Sequence, residues 1–196
     1  MKKKGSFILS SKLDRRKKYT RMVLKDSLLQ LLKEKSISSI TIKELCELAD
    51  INRSTFYSHY SNQYDLLNAI EEEFIEEMVE TLSQYNFSKE DEALQMTEKI
   101  LEYIAEKSEI CQTLLSENSD IHFQKKGMII TQKFIFKNWL TKNQLNQDTV
   151  EYLSIFVISG SIYLIKHWLE DGMNKPPKDL AEIIINFINK GLPNMR

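Results

Sequence analysis

The 196 residues hold 27 Lys and Arg against 28 Asp and Glu, with five Gly, three Pro and two Cys. That length allows one or two domains whose core needs no covalent staples, and Cys46 and Cys111, far apart and without CxxC partners, offer neither a disulfide framework nor a zinc site. The near-neutral total hides an asymmetry: residues 1–70 carry 14 Lys and Arg against 7 Asp and Glu, and residues 71–196 carry 13 against 21.

A basic end joined to an acidic body points to nucleic-acid contact at one end. The three prolines, Pro176, Pro177 and Pro193, lie near the C-terminus, so residues 6–171 hold little that would break long helices, and the expectation is an all-α chain of about nine helices. No repeat or low-complexity tract is visible. Phe7, Ile8 and Leu9 fall far short of a secretory segment, and no run approaches the ~18 apolar residues of a membrane span, which together predict a cytoplasmic protein.

In chain order, Lys2, Lys3, Lys4, Lys12, Arg15, Arg16, Lys17 and Lys18 precede the first long helix, and residues 1–17 are expected to form a flexible basic arm. Ser36 to Ile42 reads as a loop anchored by isoleucines. Thr41 followed three residues later by Glu44 is a capping box that starts a helix, with Ile42, Leu45, Leu48 and Ala49 at helical spacing on its buried side. Asp50 and Ile51 break that pattern, and Asn52 offers the N-cap of a second helix. In the second helix Phe56 and Tyr60, four apart, face the packing side, while Arg53, Ser54, Thr55, Tyr57 and His59 face outward with hydrogen-bonding groups suited to phosphates and base edges.

This helix-turn-helix at 41–60, with the preceding helix from about residue 18 and a further helix near Asn62 holding Leu66 and Leu67, resembles the DNA-binding domain of TetR-family transcriptional regulators. The resemblance implies that Arg53, Ser54 and Thr55 read bases and that Thr41, Tyr57, His59 and Gln63 hold phosphates. Asp50 stands where the family usually has glycine, and aspartate tolerates a left-handed backbone better than most residues. Gln63 stands where the family commonly has lysine; a neutral hydrogen bond is weaker than a charge-assisted one, so reduced nonspecific binding is expected.

Residues 18–78 are thus read as the DNA-binding domain and 79–196 as a regulatory and dimerisation domain. The fourth helix, from Gln63 to about Tyr85, places Leu67, Ile70, Phe74 and Met78 on one stripe. Its Glu71, Glu72, Glu73, Glu76, Glu77 and Glu80 read as a solvated face; with no histidine nearby, no metal or other cofactor is expected. Met96, Ile100, Leu101 and Ile104 mark a fifth helix, Ile110, Leu114 and Leu115 a sixth, and Phe123, Ile130, Phe134 and Trp139 a seventh at 120–142.

The eighth, from about Gln147 to Asp171, is apolar nearly all round, which implies burial on more than one side. Ser159, Gly160 and Ser161 lie mid-helix, where glycine costs about 1 kcal/mol relative to alanine, so close approach by another helix is expected. Gly172 supplies its C-cap, and Pro177 opens a ninth helix with Leu180, Ile183, Ile184, Phe187 and Ile188 on a broad apolar face. Ser159 to Gly172 and the following Pro-Pro-Lys-Asp-Leu-Ala are similar to the C-terminal domain of the TetR subgroup that includes dihydroxyacetone-kinase operon regulators. That similarity implies a homodimer through the last two helices, with Val157, Gly160, Leu164, Trp168, Ile184, Phe187 and Ile188 at the interface. The family also implies a small-molecule effector; Tyr103, His122, Phe123, Phe134, Tyr163 and His167 are the aromatic and imidazole side chains available to a pocket.

The expected function is therefore a ligand-responsive regulator, a repressor, that binds a palindromic operator as a homodimer. The alternative is an adaptor or co-activator working through a protein partner. No nucleophile motif or glycine-rich cradle supports an enzyme.

Overall fold

The structure is a computed structural model and describes residues 4–84, 91–120, 122–129 and 147–191, with side chains of the first helix from Arg15 onwards. Among the described residues the regular structure is all helical, without a strand. Two units form: residues 1–73 with 117–120, and residues 74–116 with 121–196.

In the first unit α1 spans Lys4–Leu32. The stretch expected to be a flexible arm is therefore helical from residue 4 on. Between Gly5 and Leu32 neither Gly nor Pro occurs, and the Lys, Arg and Leu of this stretch are good helix formers, so nothing there interrupts the helix. Only its second half is core: Leu24, Leu28 and Leu32 are fully buried. Each such leucine contributes roughly 1.5–3 kcal/mol.

A single 3-10 turn, Ile37–Ser39, replaces the expected plain loop, and Ile37 and Ile40 are indeed its buried anchors. The Ile37 N–H donates to the Asn118 carbonyl at 2.8 Å, which ties the 117–120 segment into this unit.

Helix α2 (Ile42–Ala49) packs against α1 and buries Leu45, Cys46 and Ala49. Leu48, expected on that face, is 43% exposed. It lies roughly 100° round the helix from the centre of the buried stripe, beyond what so short a helix can cover. Helix α3 (Arg53–Tyr57) follows, and α4 (Gln63–Ser83) runs from the first unit into the second.

Leu66, Leu67, Ile70 and Phe74 of α4 are buried, and so is Glu71, at 1% exposure, contrary to its expected place on a solvated face. Leu67, Glu71 and Phe74 follow one another at helical spacings of four and three, so the carboxylate shares the core stripe.

The second unit holds α5 (Glu92–Glu106), α6 (Ser108–Leu115), α7, helical over 122–129, α8 (Gln147–Glu170) and α9 (Pro177–Gly191). Helix α5 packs along α9, and α6 packs on α8. Ile130, Phe134 and Trp139 lie outside the described residues.

By length and composition alone α8 passes as a membrane span, with mean hydropathy 1.3, so the expectation that no segment approaches one is corrected. Here one face of α8 enters the helical core through Val150, Leu153, Ser154, Val157, Ile158, Trp168 and Leu169. The buried Ser154 hydroxyl donates to the Val150 carbonyl, which satisfies it within the helix.

The α8 to α9 turn is closed locally. Gly172 sits at φ 74°, the Met173 N–H reaches the Trp168 carbonyl at 2.8 Å, and the Trp168 indole N–H donates to the Lys175 carbonyl at 2.9 Å.

Candidate nucleic-acid interface

Helix α2 is fixed at both ends by short-range hydrogen bonds. The Glu44 N–H donates to Thr41 Oγ1 at 3.3 Å, and the Thr41 N–H donates to Glu44 Oε2 at 3.0 Å, the reciprocal pair of a capping box. Thr41 Oγ1 also donates to Glu44 Oε2, at 2.9 Å. Both donors of Thr41 therefore already have a partner, and a phosphate at Thr41 would have to draw the hydroxyl away from Glu44. The Lys35 ammonium adds an ion pair to the same carboxylate. With the Lys35 hydrogen bond as the largest cause, followed by those from Thr41, the Glu44 pKa falls to about 2. Lys35, which the sequence pattern does not single out, belongs to this support.

At the other end of α2, Asp50 takes the left-handed conformation, φ 52° and ψ 48°, in place of a glycine. The Ile51 N–H reaches back to the Cys46 carbonyl at 3.0 Å. Asn52 is the N-cap residue of α3 in position but its side chain makes no capping bond; only its carbonyl accepts, from Thr55 and Phe56.

Phe56 is fully buried and anchors α3. Its ring meets Tyr57 edge-on at 5.5 Å and Tyr60 at 6.0 Å. Arg53, Ser54 and Tyr57 are exposed, Tyr57 at 58%, while Thr55 and His59 are half-buried. Of the outward set expected of the second helix, Arg53, Ser54 and Tyr57 are thus exposed on α3, Thr55 is half-buried on it, and His59 lies half-buried beyond its end.

Gln63 opens α4 half-buried, beside a cap in which Asn62 Oδ1 accepts from the Asp65 N–H and Asp65 Oδ2 accepts from the Ser61 N–H, each at 2.9 Å. His59 lies beside Tyr60, with ring centroids 6.2 Å apart. Burial, then the charges of Arg21 and Lys17, depress its pKa.

Residues 26–70 match the model of bacterial regulatory proteins of the tetR family, and residues 91–190 match a transcriptional regulator C-terminal region of the same family set. The chain belongs to the TetR family of transcriptional regulators.

Over 189 residues it is 28% identical to the HTH-type transcriptional regulator YxbF of Bacillus subtilis (strain 168), covering 90% of this chain and 46% of that protein. The chain spans about half the length of that relative. Among solved structures, a TetR regulator from Streptococcus agalactiae 2603V has a TM-score of 0.71 at 22% identity, covering 91% of this chain and 98% of that one. FadR of Bacillus subtilis, solved with stearoyl-CoA, has a TM-score of 0.62 at 16% identity, covering 87% and 98%. The dihydroxyacetone kinase operon activator DhaS has a TM-score of 0.55 at 16% identity, covering 88% and 96%. These likenesses bear on the fold.

In the C-terminal unit of this TetR protein the residues named for a pocket do not converge as a set. Tyr103 and Phe123 both stack edge-on against Phe74, at 5.2 and 5.5 Å. The Tyr103 hydroxyl donates toward the Phe74 carbonyl and Glu77 Oε2, each at 3.2 Å, and Lys107 pairs with the same carboxylate oxygen at 3.4 Å. Burial, then the Glu77 charge, pushes the Tyr103 phenol well above its ordinary range. His122 is exposed, Phe134 lies outside the described residues, and Tyr163 is 74% exposed on α8.

Tyr163 instead borders an open apolar cleft of about 480 Å³ between α8 and α9, lined also by Phe156, Gly160, Leu164, Ile184 and Phe187. Of the residues expected at a dimer interface, Trp168 does not line this cleft; it is 3% exposed and holds the α8 to α9 turn of its own chain. Val157, Gly160, Leu164, Ile184, Phe187 and Ile188 do line it, joined by Phe156, Tyr163 and Ile183, which were not among them. His167 borders it as well. Among the described residues no group of His, Cys, Asp and Glu could hold a metal ion. Cys111 is buried, which pushes its thiol up to about 12.

Proposed function

We propose that this TetR-family regulator is a cytoplasmic homodimer that reads a palindromic operator through α3 and represses transcription until an effector binds its C-terminal unit. The observation that carries the DNA reading is the division of labour on α3. Phe56 is fully buried and fixes the helix, while Arg53 and Ser54 at its start and Tyr57 at its end are exposed. The exposed residues at the helix start reach base edges, and the flanking hydroxyls reach phosphates.

Dimerisation is supported by the cleft between α8 and α9. Ile155, Phe156, Tyr163, Ile183 and Phe187 are 46–74% exposed on two neighbouring helices. A second copy presenting the same face would remove that apolar surface from water.

Effector control is supported by chain continuity, since α4 belongs to both units. Two recognition helices must sit about 34 Å apart to enter successive major grooves. An effector that binds one spacing better shifts DNA affinity 5- to 150-fold for about 1–3 kcal/mol of coupling.

Selection of bound sequences from a pool of random duplexes tests the reading. The expected result is an inverted repeat whose half-sites lie one helical turn apart, and a promoter carrying it should be silenced by the protein in a purified transcription reaction. Recovery of no motif, or of a single unrepeated half-site, would overturn it.

A further inference from the structure

The face of α1 that packs into the first unit does not end with the core. At 3.6 residues per turn, residues 17, 21, 24, 28 and 32 fall within an arc of roughly 80°. Leu24, Leu28 and Leu32 on that arc are fully buried, whereas Arg21 and Lys17, one and two turns earlier, are exposed. The core stripe thus continues as a cationic stripe over a part of the helix with no core to cover. Arg16 and Lys18 beside it are exposed too.

The charge of this stripe reaches the end of the recognition segment. Arg21 and Lys17 are near enough to His59 for their charges to act on its ring, and Arg21 acts on Tyr60 as well. Among the described residues no carboxylate comes within ion-pair range of Lys17, Lys18 or Arg21, whereas Lys25, one turn further on, pairs with Glu73 at 3.2 Å. Cations left without carboxylate partners next to a candidate phosphate contact make a site that favours an anion.

We infer that Lys17 and Arg21 form a phosphate-binding extension of the DNA interface, in which the N-terminal half of α1 lies along the backbone of the duplex beside the strand engaged at His59. The inference rests on the DNA reading of α3 and adds a second, sequence-independent contact to it. Gln63 leaves the start of α4 without a cation; α1 supplies the missing charge from another element. A helix is suited to this task because it holds Lys17 and Arg21 one turn apart on one side, about 6 Å along the axis, so that both charges face the same backbone.

The test uses the full chain and a mixed-sequence 30-base-pair duplex, with affinity followed by fluorescence anisotropy across a salt series. Each phosphate contact adds about 0.9 to the slope of log K against log salt concentration, so Lys17→Gln with Arg21→Gln should lower the slope by about 2 per protomer. Lys175→Gln with Lys178→Gln, an equal change of charge at exposed positions of the second unit, should leave it unaltered.

A second readout is the His59 ring in free protein, whose titration should move up toward 6.5 in the α1 variant once the two charges are removed. A wild-type slope in the α1 variant, with the duplex still bound, would overturn this inference alone. Failure of the wild-type chain to bind any duplex would overturn the DNA reading beneath it. Equal loss in both double variants would show a general effect of net charge and overturn the placement on α1.

Discussion

The side-chain amide of Asn118 donates to the carbonyl of Leu32, the last residue of α1, at 3.0 Å. The main-chain carbonyl of Asn118 accepts from the Ile37 N–H at 2.8 Å, so one asparagine holds both the end of α1 and the turn that follows it. Asn118 lies between α6 and α7 in the chain yet clusters with the first unit. Asn118→Ala removes the amide but leaves the main-chain acceptor. It should cost about 1 kcal/mol, read as a shift of the urea midpoint. Faster hydrogen exchange at the Ile37 amide would show that the side chain holds the main-chain bond in place; unchanged exchange would separate the two bonds.

The cap of α2 gives a prediction with a pH window. Thr41→Ala deletes the side chain that accepts from Glu44 and should destabilise the protein by roughly 1 kcal/mol. Glu44 has a folded pKa of about 2 against an ordinary 4.5. The folded state therefore prefers the ionised form, and its contribution is complete above pH 4.5 and lost as pH falls from there toward 2. Glu44→Gln should flatten that part of the stability profile, measured by thermal midpoints across the window. A profile with the wild-type slope would place the acid sensitivity elsewhere.

Arg53 and Tyr57 should fail in different ways. Arg53→Ala should cost about 1–3 kcal/mol on the operator and relax preference at one base pair. Tyr57→Phe should weaken all duplexes alike, because a phosphate contact carries no sequence information. Competition between the operator and single-base variants distinguishes the two. Unchanged binding in both mutants would remove α3 from the interface.

His59 provides a second pH dependence, of known sign. Its folded pKa lies below the ordinary 6.5, first through burial and then through Arg21 and Lys17. The folded chain thus binds fewer protons than the unfolded chain below pH 6.5, and its stability falls as the pH drops through that value. His59→Asn should remove this component, seen as a smaller change in urea midpoint between pH 7.5 and about 5.5. A variant as acid-sensitive as the wild type would contradict the assignment.

Gly160 reports on association without disturbing the protomer. A Cβ added there meets nothing within 4 Å, so a larger side chain fits the single chain. The space it occupies lies in the cleft between α8 and α9, where a partner helix would approach. Gly160→Leu should keep its helical content yet weaken dimerisation at least tenfold, or about 1.4 kcal/mol, by sedimentation at micromolar concentration. A wild-type monomer under those conditions would exclude the dimer.

What the sequence alone determined was whatever depends on neighbours a few residues apart. The Thr41 and Glu44 box, the left-handed Asp50, the Gly172 cap and the start of α9 at Pro177 each arise from local hydrogen bonding or backbone preference, and each is where its pattern puts it. The charge division between the halves is equally a property of the chain.

The tertiary structure decided which side of an apolar helix meets its own chain. On α8 nearly every position is apolar, so periodicity names no inner face; packing buries Trp168 and Val157 and leaves Phe156 and Tyr163 open. It also placed Glu71 in the core and Leu48 at the surface, against their side-chain character, because the neighbours that cover a residue are distant in sequence. For the same reason the sequence showed a basic arm over residues 1–17 but not that the charges of Lys17 and Arg21 would act on His59, which depends on how α1 packs with the helices that follow it.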